Sequence, residues 1–198
     1  MKLLKLLEMP YLHSGEYDPE RPRRMSGSAR ERETKFLFSI RNVEFRMVND
    51  GLAILGFVHE PNDRVQSYRV VFHLSFKHQL TISKFPTDIN PNDVIQINSV
   101  VADKDYRSSD LCATVYQHLV RAGYVLMSDE SQFTPAVHLW HKLIRRNNFP
   151  VYVMDVDNGF VSTNGQPIRY DGKNIKFESI WTSGDDLSGM YKILVMKQ

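Results

Sequence analysis

The sequence predicts a mixed α+β domain, a central and largely antiparallel sheet flanked by helices, and three observations predict it. Residues 36–102 carry short β-branched and aromatic runs separated by turn residues. The apolar spacing switches from period two to a helical period after residue 108. From there to residue 157, strand-like and helix-like runs alternate.

The elements follow in order. The run "FLFSIRNVEFRMV" alternates in part and leads into Asn49, Asp50 and Gly51, a hairpin turn signal. "LAILGFV" follows, then "SYRVVFHLSF", with Val70, Phe72 and Leu74 on one face. "QLTIS" continues this meander, "FPTDINPND" is a turn-rich loop, and "VIQINSVVA" is a further strand. Leu111, Val115, Leu119 and Ala122 then share one face of a helix over 109–122, which Gly123 ends. "YVLMSD" is a short strand. Thr134 and Pro135 open a second helix over 134–146: a hydroxyl to cap it, then a residue with no amide to satisfy. Ala136, Leu139, Trp140, Leu143 and Ile144 form its apolar stripe, and two asparagines close it. "FPVYVMDVD" is a strand; turns at "NGF", "NGQP" and "YDGKN" precede a last strand candidate, "YKILVMK".

A chain of 198 residues fits one domain with a core of useful size. A net charge of +2 is too small to imply a nucleic-acid or membrane partner. One cysteine excludes an internal disulfide and fits a reducing compartment. No apolar run is long enough to span a bilayer. The start, "MKLLKLLEMP", is too short for a signal peptide and lacks a cleavage site, so it reads as an edge strand or short helix. The expected location is the cytoplasm, or an assembly built there. Residues 1–35 are expected to form an arm on a single domain at 36–198. Within the arm, residues 13–35 are too polar to order themselves, so the segment is either flexible or held by a partner protein or another copy of the chain. Its Arg21, Arg23, Arg24, Arg30 and Arg32 are interrupted by Glu20, Glu31 and Glu33, which favours a solvated loop over a nucleic-acid arm.

The middle of the chain resembles a known family. The stretch "SVVADKDYRSSDLCATVYQHLVRAGYVLMSDESQFTPAVHLWHKLIRRNNFPVYVMD" is similar to the core of the GNAT N-acetyltransferases, especially phage-encoded members. Arg107 matches the basic residue that leads the family's donor turn. Ser128 and Asp129, Gln132, and Leu139 with Trp140 match the phage branch. The similarity covers about residues 94–157, and the N-terminal third does not show the two helices that usually shape the family's acceptor site. The resemblance implies acetyl-CoA as donor and an amine as acceptor. It puts the pyrophosphate on Arg107, Ser108, Ser109, Asp110, Leu111 and Cys112, where backbone amides and the helix dipole favour an anion. It puts the pantetheine arm along the strand from Asn98 to Val101, beside Val100 and Val101.

Three departures weigh on that implication. Asp110 stands where the family has glycine. Its carboxylate would either cap the helix together with Ser109 or repel an incoming pyrophosphate, by about 1 kcal/mol at 4 Å in bulk water and about 4 at an effective dielectric near 20. Trp140 stands at about the place of a tyrosine general acid, and an indole N–H gives no proton to sulfur at neutral pH, so it reads as core. The strand offers Gln96, Asn98 and Ser99, none a base at neutral pH. Asp129 is the nearest carboxylate, and capping the loop before Thr134 is its preferred reading. His138 and His141 lack an acidic companion for a metal, and Cys112 lacks a histidine that would make it a nucleophile. Two functions stand. One is a GNAT-shaped, phage-encoded module, virion-associated or host-directed, that holds another protein and binds acetyl-CoA weakly or not at all. The other is an active N-acetyltransferase in which positioning carries the catalysis. The three departures together favour the module.

Overall fold

In a computed structural model, the described residues are 24–61, 66–77, 80, 82, 85–86, 88–129, 134–176, 179–180 and 192–198, with only the backbone described at 108, 109 and 134. The N-terminal leucine-rich run, the arm up to residue 23, most of "QLTIS" and Gln132 lie outside them. The fold is mixed α+β, with three α-helices among the described residues and mostly antiparallel strand pairing. The chain forms two compact units: Met1–Ser75 with Ser99–Asp105, and Phe76–Asn98 with Tyr106–Gln198.

The first unit is an antiparallel meander. β1 (Arg24–Ser26) leads into α1 (Gly27–Glu33), then β2 (Thr34–Ile40), β3 (Val43–Val48), β4 (Ala53–Glu60) and β5 (Ser67–Phe76), whose last residue belongs to the second unit. β2, β3, β4 and β5 pair in order, and β1 pairs with β5. The run "FLFSIRNVEFRMV" is two strands rather than one, because Arg41 takes a left-handed conformation, φ 55°, and turns the chain early. β5 is covered on both faces: Val71 and His73 are as buried as Val70, Phe72 and Leu74. Met25, Leu55, Phe57 and Val70 form a core cluster on which Val101 packs. Gly56 has no room for a side chain, since a Cβ there would lie 2.8 Å from that of Phe72.

The described part of the arm, residues 24–35, is β1, α1 and the start of β2. Ser26 Oγ accepts from the Ala29 amide at 3.3 Å and caps α1. Arg30 reaches inward from α1, donating to Glu44 at 2.6 Å and Glu31 at 2.5 Å, with its guanidinium 3.8 Å from the centre of the Tyr68 ring. Arg46 on β3 donates to Glu44 at 2.6 Å, Glu31 at 2.8 Å and Thr34 Oγ1 at 2.7 Å.

The second unit holds β6 (Val94–Ala102) as far as Asn98, then α2 (Leu111–Arg121), β7 (Val125–Met127), α3 (Thr134–Arg146), β8 (Val151–Asp155), β9 (Gly159–Phe160), the hairpin of β10 (Ser162–Thr163) and β11 (Gln166–Pro167), and β12 (Lys192–Met196). β6 and β7 are parallel, from Val94 opposite Val125 to Gln96 opposite Met127. The last strand, β12, inserts antiparallel between β7 and β8. α2 starts later than residue 109 because Lys104–Ser109 form a 3₁₀ turn, and it ends where the Gly123 amide donates to the Val120 carbonyl at 3.0 Å. α3 has the expected bounds and closes on Asn147, φ 56°. Trp140 lies in the core, edge-on to Tyr116 at 5.9 Å between ring centres. Val125, Met127, Met154, Ile193 and Val195 build a second cluster with Ile82 and Ile89. Among the described residues no helix is long and apolar enough to cross a membrane.

Candidate functional site

The turn into α2 is the feature that the sequence singles out, and its geometry centres on Asp110. Asp110 has φ 59° and ψ 15°, a left-handed conformation in which glycine is most at ease and aspartate is among the few tolerated side chains. Its carbonyl accepts from the Thr114 amide at 3.0 Å and so starts the helix. Its carboxylate makes no capping bond to the helix. It turns instead to α3 and accepts from Lys142 and Arg146. Those two residues are four apart on one helix face, so a single carboxylate meets both. Neither of the two expected roles of Asp110, a cap or an uncompensated charge on the helix start, describes this arrangement. The cluster of Asp110, Lys142 and Arg146 sums to one positive charge.

The other site residues divide between the units. Arg107 is exposed on the turn, the backbone of Ser108 and Ser109 completes the 3₁₀ segment, and Leu111 is buried at the start of α2. Burial pushes the Cys112 thiol up to about 11, so it stays protonated at neutral pH and is no nucleophile. Val100 and Val101 lie on the part of β6 that belongs to the first unit, and Val101 packs against that unit's core. The structure therefore groups Arg107 to Cys112 in one unit and leaves the two valines in the other.

Other proton carriers near α2 and α3 suit acid chemistry poorly. Burial, and then the neighbouring Cys112, raise the Tyr116 hydroxyl well above its ordinary value. Burial lowers His118 and His141, helped by Arg121 in one case and by Arg145 and His138 in the other. Among the described residues no three His, Cys, Asp or Glu side chains gather as a metal site would need.

A second polar cluster lies where β6 and β7 part. Their ladder ends at Gln96 and Met127. Gln96 is buried, and its Nε2 donates to the Ser128 carbonyl at 3.2 Å. Ser128, also buried, donates from Oγ to the Asp129 carbonyl at 3.0 Å and accepts from the Leu194 amide at 3.0 Å. Asp129, fixed in this way, does not stand alone: its Oδ1 lies 2.7 Å from Lys77 Nζ. Lys77 in turn donates its amide to the Gln96 carbonyl at 2.9 Å.

The sequence reading missed Lys142, Arg146 and Lys77. The first two could have been found, because a basic pair four residues apart on a helix beside the turn is a visible signal. Lys77 could not, since its partner is 52 positions away in the chain.

Compared with known proteins, the chain matches no family model, no curated protein and no solved structure.

Proposed function

We propose that the chain is a GNAT-like protein that binds acetyl-CoA at the turn into α2 and transfers the acetyl group to an amine. The observation that carries this reading is the pairing of Asp110 with Lys142 and Arg146. The objection to a donor at this turn was a bare carboxylate facing a pyrophosphate, and here that carboxylate is outnumbered two to one by cations. Two further features support the reading. The left-handed backbone at Asp110 is the conformation that a glycine at this position would serve. The order β6, α2, β7, α3, β8 over 94–157 is the element order that the resemblance implies, with a parallel pair on either side of α2.

In this reading the amides of Leu111, Cys112 and Ala113, which precede the first intrahelical donor, Thr114, point at the phosphates. Arg107, Lys142 and Arg146 supply charge around them. Acetyl-CoA, when bound, supplies the activated thioester. The chain's own contribution is orientation along β6 past Gln96, and holding two reactants together can lower a barrier by several kcal/mol without a dedicated acid.

A second reading has its own observation. Trp140 and Tyr116 are buried in the core, and an indole N–H is no acid at neutral pH. That favours a module that holds another protein, in a virion or on a host target, and leaves the clasp permanently closed. Calorimetric titration of the full chain with acetyl-CoA separates the two. Micromolar binding supports the donor reading, and no heat up to millimolar ligand supports the module.

A further inference from the structure

Lys77 is tied twice to the place where β6 loses its parallel partner. Its amide is bonded to the carbonyl of Gln96, the last β6 residue in the ladder with β7. Its ammonium is bonded to Asp129, two residues past the end of β7. Both side chains are only about one-fifth exposed, 22% and 21%. The buried Gln96 and Ser128 fix the backbone around Asp129. A primary amine is thus held, with a proton acceptor 2.7 Å away, beside the strand along which the donor's arm would run.

We infer that Lys77 is itself an acetyl acceptor and that the protein acetylates itself there. The inference rests on the donor reading above. Asp129 Oδ1 takes a proton from Nζ, and the freed lone pair attacks the thioester carbonyl carbon. The C–N bond forms, the C–S bond breaks, the nitrogen sheds its second proton, and coenzyme A leaves as a thiolate that takes up that proton. The product is Nε-acetyl-lysine, which carries no charge. Acetylation therefore dissolves the ion pair with Asp129.

The test is incubation of the full chain with acetyl-CoA, followed by digestion and mass spectrometry of every lysine, with acetyl-CoA binding measured in parallel by calorimetry. Undirected acetylation favours exposed lysines such as Lys104 and Lys173 over Lys77. Directed transfer reverses that order, and its fractional rate does not change with protein concentration. Asp129→Asn slows Lys77 acetylation about 100-fold, the usual size of a general-base effect, while acetyl-CoA binding is unchanged. Binding with no preference for Lys77, or with equal labelling in Asp129→Asn, overturns the inference and leaves the donor reading intact. Absence of both binding and labelling overturns the two together.

Discussion

Two clusters set a pair of cations against carboxylates at different depths. In the first unit, the Arg30 and Arg46 side chains are 9% and 6% exposed, and Glu31 and Glu44 each meet both arginines. In the second, Lys142 and Arg146 are 42% and 30% exposed and share one aspartate. A buried guanidinium cannot change partners, because release would leave a charge with neither water nor counter-ion. An exposed cation exchanges one oxygen anion for another at little cost, since water screens both states. The same chemistry therefore locks α1 to β2 and β3 in one unit and leaves a replaceable anion in the other. Residue type alone does not distinguish them; depth does.

Variants should separate the two clusters by size of effect. Arg46→Met should be the most damaging, costing about 1.5–3 kcal/mol, because buried Thr34 loses its donor while Glu44 and Glu31 keep only Arg30. Urea unfolding reads this, and a loss below about 1 kcal/mol would make the first cluster no different from a surface pair. Gly56→Ala should come next at about 1–3 kcal/mol, by forcing Phe72 and Phe45 apart. Lys142→Ala should change stability by no more than about 1 kcal/mol, and a larger loss would show that the clasp holds the fold rather than a ligand.

The smallest effect is a pH dependence. Desolvation pushes the Glu31 carboxyl up, but Arg46 and Arg30 outweigh it and hold it below its ordinary 4.5. A carboxyl depressed in the folded state stabilises above its unfolded value and loses that contribution as pH falls through the folded one. The stability difference between wild type and Glu31→Gln should therefore be constant above about pH 5 and shrink below 4.5. A difference that grows on acidification would mean that Glu31 is not the arginines' partner.

Much of the fold was legible because it follows local rules. α3 begins at Thr134–Pro135 and ends before the left-handed Asn147, and β6 coincides with "VIQINSVVA". The extra turn at Arg41 was missed because its signal is a single asparagine after an arginine, with no glycine. The burial of both faces of β5 was missed because it depends on what packs over the strand, which no alternation within the strand reveals. At the turn into α2, sequence reading assigned the Asp110 carboxylate by its proximity to the helix amides. The partners it meets are 32 and 36 positions away, on another helix.

If the turn into α2 holds acetyl-CoA as proposed, the Asp110 carboxylate is a replaceable anion between Lys142 and Arg146. The direct test is calorimetry of acetyl-CoA binding to wild type and to Lys142→Ala/Arg146→Ala, at low and high salt. The expected result is a wild-type Kd in the micromolar range, about −8 kcal/mol, at least tenfold weaker binding by the double variant, and a wild-type affinity that falls with salt. Equal affinity in the two proteins, or no binding by wild type at millimolar acetyl-CoA, would contradict it.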